Sequence, residues 1–167
     1  GTEYVHNWHI GLISEYMEAV NLGQINRLVI NMPPRHMKSI HVTVCYPVWT
    51  WIKHPEKRFI KVSYSDNLSR KHNVLSRDIV LSPWYQRTWG DRFALKDDVN
   101  RQNEFKNNRQ GMMFSTSIGG ALTGEGGDVI ILDDPQNPLQ ANSETEREGT
   151  ISFFKNTLQS RLNNPKT

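Results

Sequence analysis

Apolar positions along this chain fall into blocks whose spacing alternates between a helical and a strand period. Trp8, Ile10, Leu12, Ile13, Tyr16, Met17 and Val20 recur at helical spacing, and Gly23 stands where a first helix would stop. Leu28 to Met32 form a short apolar run, which predicts a strand ended by Pro33-Pro34, a pair that needs no backbone donors. A helix is then predicted from near Lys38 through Ile40, Val44, Val48, Trp51 and Ile52 to His54-Pro55, with a kink at Pro47. Phe59 to Tyr64 read as the next strand. Ser65-Asp66 follows as the N-cap of a helix that carries Leu68, Leu75 and Ile79 on one face.

The order so far is β-α-β-α, the signature of an α/β protein with a mainly parallel sheet. The stretch from Ser82 to Asn103 is irregular and aromatic. Trp84, Tyr85, Trp89 and Phe93 read as packing residues rather than a base-stacking platform, because no basic run interleaves with them. Glu104-Phe105 and Met112 to Ser115 are expected to pair as a hairpin around Asn107 to Gly111. Glycines crowd residues 119–127, either as a flexible connection or as a loop that lies near phosphates or substrate and moves with the bound state. Val129 to Leu132 are an apolar run closed by Asp133-Asp134-Pro135. Ser143-Glu-Thr-Glu146 is a capping box that opens a helix with Ile151, Phe154, Leu158 and Leu162 on its apolar face, and a further strand is expected to begin around 164–167.

Composition narrows the class without choosing a function. At 167 residues, 37% hydrophobic and 22% charged, the chain suits one globular domain over 1–167, and no apolar stretch approaches the length of a membrane span. A net charge of +3 permits a nucleic-acid partner but does not demand one. The single cysteine, Cys45, leaves no internal disulfide and fits a reducing compartment. Gly1-Thr2 suggests a fragment or processed chain, so a missing targeting segment carries no weight. His6 and His9 lack a Cys, Asp or Glu partner at ligand spacing and are read as packing at a helix start.

Two segments carry chemistry. The first, Arg27-Leu-Val-Ile-Asn-Met-Pro-Pro-Arg-His-Met-Lys-Ser39, is an apolar run emptying into a tight loop that ends in Lys38 and Ser39. In a phosphate-binding loop the backbone N–H groups and the start of the next helix hold phosphate oxygens. The lysine reaches the β- and γ-phosphates, and the hydroxyl ligates magnesium. The strict glycine-rich form would have glycine at 32 and 37, where this chain has Met32 and Met37. The second segment, Asp128-Val-Ile-Ile-Leu-Asp-Asp-Pro135, reads as a Walker B strand: Asp133 to hold the magnesium water shell and Asp134 to orient or deprotonate an attacking water. Alone it is equally a buried strand running into a turn. Together, in this order, the two segments predict a nucleoside triphosphate site.

With those residues go Ser63-Tyr-Ser-Asp66, Gly119-Gly-Ala-Leu-Thr-Gly124, Ile130-Ile-Leu-Asp-Asp-Pro135 and Thr157-Leu-Gln-Ser-Arg-Leu162, and the chain resembles the N-terminal ATPase part of the terminase large subunit of tailed bacteriophages or prophages. The resemblance spans nearly the whole chain, and the phrase Met-Pro-Pro-Arg-His-x-Lys-Ser is its most specific element. It implies a three-layer P-loop NTPase fold that hydrolyses ATP with Mg2+. Pro34, Arg35, His36, Met37, Lys38, Ser39 and Ile40 would surround the phosphates, Ser39 and Asp133 would hold the metal, and Asp134 would take the catalytic acid position. Arg35 would sense or stabilise the γ-phosphate. Asp134 departs from the glutamate common in related motors, and Met37 from the glycine usual before the lysine.

The resemblance further implies double-stranded DNA, the small terminase subunit and a portal as partners, a homo-oligomeric ring, and a place in the cytoplasm of the bacterial host. It also implies that a coupling strand and a nuclease domain lie outside this sequence. Other readings stay open: a helicase-like DNA-dependent ATPase, or a nucleotide-binding module that does not turn over because of Met37. A small-molecule P-loop transferase fits the paired acids less well.

Overall fold

The computed structural model describes residues 4–122 and 124–164. Five strands form one open mixed sheet in the order β2-β3-β4-β1-β5, with β1 Arg58–Ser63, β2 Leu95–Asn100, β3 Glu104–Asn107, β4 Met112–Ser117 and β5 Val129–Leu132. β1 lies between β4 and β5 and pairs in parallel with both, while β3 and then β2 extend the sheet to its other edge through antiparallel pairings. The alternation of β1 explains its place. Phe59, Lys61 and Ser63 lie on one face, Ile60 and Val62 on the other, and all five are buried.

Helices cover both faces. α1 Trp8–Asn21, α2 Tyr46–Lys53, α3 Asp66–Leu81 and α4 Pro83–Trp89 supply Ile13, Met17, Trp51, Val80 and Tyr85 to a core with Phe59, Phe105, Met113 and Ile131. Behind the sheet, Ile60, Val62 and Met112 pack with Leu122 and Leu158. α5 Pro138–Ala141 and α6 Glu144–Phe153 precede a π-helical turn over Phe154–Leu158 and a 3-10 turn over Gln159–Arg161. Leu162 then bridges in parallel to Gly127, just before β5. The strand expected from 164 onward falls on residues 165–167, outside the described residues, as does Thr123 of the glycine-rich loop.

Most predicted elements are present, with three corrections. Leu28 to Met32 do not form a strand. They run opposite β5 across a cleft of about 810 Å3 lined by Leu28, Ile30, Ile130 and Leu132, and an extended segment that pairs with no neighbour is not part of a sheet. Consequently β5, for which a buried strand is one reading of the sequence, is an edge strand among the described residues and is only partly buried. Residues 82–103 are not irregular. Ser82 caps α4 by accepting from the Tyr85 N–H, Pro83 occupies the first turn, and β2 follows. Of the aromatic residues there, Tyr85 and Phe93 pack as expected, interlocking edge to face with Trp51 and Phe105, whereas Trp84 is largely exposed against Trp89.

The hairpin between β3 and β4 turns at Asn107, whose side-chain oxygen accepts from the Arg109 and Gly111 amides. A Cβ on Gly111 would stand 2.0 Å from the Pro55 carbonyl oxygen and 2.6 Å from Asn107 Nδ2. Gly111→Ala is therefore expected to cost about 1–3 kcal/mol of stability, measurable as a lower denaturation midpoint at unchanged m-value.

Candidate nucleotide site

The helix predicted from Lys38 begins there and runs as a π-helical stretch, Ile40–Cys45, ahead of Pro47 in the first turn of α2. The ladder widens ahead of the residue that lacks an N–H, so that the Tyr46 amide reaches back to the His41 carbonyl. Thr43 lies inside this widened turn, buried, and its hydroxyl donates to Asp133 Oδ2 at 3.0 Å.

The two acids are placed by β5. The Asp133 amide donates to the Val62 carbonyl at 2.9 Å, extending the β1–β5 ladder by one residue, and the Tyr64 amide donates to the Asp134 carbonyl at 3.1 Å. Both carboxylates thus emerge at the carboxyl end of the sheet, where the loop before Lys38 also arrives. Lys38 Nζ donates to Asp134 Oδ1 at 2.5 Å and stands 4.0 Å from Asp133 Oδ1. Asp133 is buried, whereas Asp134 is exposed.

The backbone around this ion pair is unusual. Of the four non-glycine residues with positive φ among those described, three belong to the site: Arg35 at 67°, Met37 at 62° and Asp134 at 46°. Left-handed backbone costs an ordinary side chain roughly 1–2 kcal/mol, and such residues gather where function requires the geometry. Left-handed residues within a turn also bring backbone N–H groups to one side, the arrangement that holds anions. His36 donates from Nδ1 to the Pro34 carbonyl at 2.9 Å, which fixes its ring over the loop.

Lys38, Asp133 and Asp134 are thus brought together. Arg35 is exposed and makes no ion pair among the described residues. Ser39 does not hydrogen-bond Asp133; Thr43 does so instead. The glycine-rich loop starts beside the site, after β4, but its later part runs to the opposite end of the sheet, where Arg58 donates to the Gly126 carbonyl and pairs with Glu125.

Sequence reading missed two residues, Thr43 and His72. His72, on α3, places Nδ1 3.5 Å from Asp133 Oδ2, and burial pushes its pKa down despite the neighbouring Asp133 carboxylate. Neither residue belongs to a motif. On α3 the buried face also carries Ser69, Asn73 and Ser76, so polarity alone does not single out His72.

Magnesium takes hard oxygen donors and keeps several waters, so one carboxylate and one hydroxyl beside a polyphosphate suffice. Asp133 Oδ1 and Ser39 Oγ are donors of that kind, and no cluster of three or more His, Cys, Asp or Glu that could form an all-protein cage occurs among the described residues. No described helix is long and apolar enough to cross a membrane. No protein-family model matches this chain, and none of the curated proteins matches it.

Proposed function

We propose that the chain is a magnesium-dependent ATP-hydrolysing motor domain of the terminase large-subunit type, built on a P-loop fold. The observation that carries this reading is the convergence of Lys38 and the Asp133-Asp134 pair, 96 residues apart in sequence, on a loop with left-handed backbone at Arg35 and Met37. Loop amides and Lys38 would bind the phosphates. Asp133 and Ser39 would hold Mg2+, which neutralises charge on the phosphate oxygens. Asp134 would accept a proton from, or orient, the attacking water. Arg35, exposed in the same loop, would sense or stabilise the γ-phosphate. Double-stranded DNA, a small subunit, a portal and a ring of copies are the partners that go with this reading.

The test is a calorimetric titration of Mg-ATP into the protein beside Lys38→Ala. Binding by the parent that the variant lacks supports the reading, and no binding by either protein refutes it.

A second reading, a nucleotide-binding module without turnover, is favoured by Met37. Its φ of 62° is the conformation that glycine adopts without strain, and its side chain is exposed beside the phosphate loop. Met37→Gly is expected to stabilise the fold by about 1 kcal/mol and to tighten ATP binding. Paired thermal melts and titrations measure both effects, and unchanged affinity would remove Met37 as an obstacle to nucleotide.

A further inference from the structure

Asp133 is held asymmetrically. Its Oδ2 accepts from the Thr43 hydroxyl at 3.0 Å and faces His72 Nδ1 at 3.5 Å, while its Oδ1 is turned toward Lys38 at 4.0 Å. Thr43, His72 and Asp133 are all buried, and His72 Nδ1 has no hydrogen-bond partner within standard geometry. A buried ring nitrogen facing a buried carboxylate oxygen is favourable only when that nitrogen carries the proton, because the other tautomer sets a lone pair against the oxygen.

We infer that His72 and Thr43 are positioning residues that clamp Oδ2 of Asp133, so that Oδ1 is the oxygen presented to the cleft. The inference rests on the function proposed above, in which Asp133 holds Mg2+. The elements fit this role. Thr43 comes from the widened turn after the phosphate loop and His72 from α3, so the carboxylate on an edge strand is gripped from two helices that cover the sheet. One turn along α3, Ser76 Oγ accepts from Lys61 and donates to the Val44 carbonyl at 3.0 Å, which ties α3 to the widened turn that carries Thr43. Groups that orient a ligating carboxylate typically change metal affinity about 10- to 100-fold when removed.

Two measurements test the clamp. The first needs no nucleotide: 15N NMR of histidine-labelled protein at neutral pH is expected to show His72 as the Nδ1–H tautomer, with its ring signals moved by Asp133→Asn. The Nε2–H tautomer overturns the clamp. The second titrates Mg2+ into protein with ATP. His72→Leu is expected to weaken the magnesium dependence about 10- to 100-fold while metal-free ATP binds as before. His72→Asn, whose amide N–H occupies the Nδ1 position, is expected to restore most of it, and Thr43→Val to lose it as His72→Leu does. Equal magnesium dependence in the parent and His72→Leu, or no rescue by asparagine, overturns the proposal, provided that thermal melts show both variants folded. A parent that binds no ATP refutes the nucleotide function and leaves the tautomer to decide the clamp.

Discussion

Lys38→Ala is expected to abolish Mg-ATP binding and to lower any steady-state hydrolysis about 10²- to 10³-fold or more, whereas Asp134→Asn is expected to keep binding and lose only turnover. The difference follows from what each side chain offers. Among the described residues Lys38 is the one cation in contact with both acids, at 2.5 Å from Asp134 and 4.0 Å from Asp133, and its removal takes away the charge that would meet the phosphates. Asp134 has no such binding role. It is an exposed carboxylate on a left-handed residue, held in place by the amide of Tyr64 on its carbonyl. Asparagine tolerates the same backbone and keeps the shape, but it cannot accept a proton. Titration calorimetry and phosphate-release assays on the same preparations check the pair. If Asp134→Asn hydrolyses ATP at the parent rate, Asp134 is not the catalytic acid. If Lys38→Ala binds ATP as the parent does, the loop is not a phosphate site.

The elements legible in the sequence were those whose apolar period was reinforced by a chemical stop or start. α1 ends before Gly23, which has a φ of 72°; α3 starts at Ser65, whose hydroxyl accepts from the Leu68 amide; the β3–β4 hairpin turns at Asn107. An apolar run with a stop is still not sufficient for a strand, since Pro33-Pro34 close such a run at 28–32. Leu28 to Met32 have the composition of a strand, but a strand is defined by its partner, and composition cannot report one. β2, Leu95–Asn100, is the opposite case. It has charged residues in an edge position, and only its pairing with β3 makes it a strand. At the site, motif order was enough to bring Lys38 to the two acids. The clamp on Asp133 was not legible, because Thr43 and His72 acquire their meaning only when β1 pairs with β5 and α3 lies across the sheet.

Lys61→Met is expected to stabilise the fold at neutral pH by a few kcal/mol, with an advantage that fades as the solution becomes alkaline. Lys61 stands in the middle of β1, wholly buried, and donates to Ser76 Oγ at 2.6 Å without a carboxylate partner among the described residues. Burial lowers its pKa from 10.5 to about 7, with the nearby Cys45 opposing the shift. Between those values the unfolded chain binds a proton that the folded chain does not, so stability rises with pH. The penalty is full below about 7 and is relieved as pH climbs toward 10.5, amounting to at most about 5 kcal/mol at 1.4 kcal/mol per unit. Other groups restrict where this can be seen. Cys45, with a pKa raised above 9.0 by burial, and Tyr46 and Tyr85, each raised to about 12, make stability fall above pH 9 to 10. His72, its pKa lowered from 6.5, acts only in acid. The window from pH 7 to 9 therefore belongs to Lys61. Denaturant melts across it should show the parent gaining about 2–3 kcal/mol and Lys61→Met, close in volume and without a charge to desolvate, staying level. A parent curve that is flat over this range would mean that Lys61 keeps its proton through a partner the described residues do not supply.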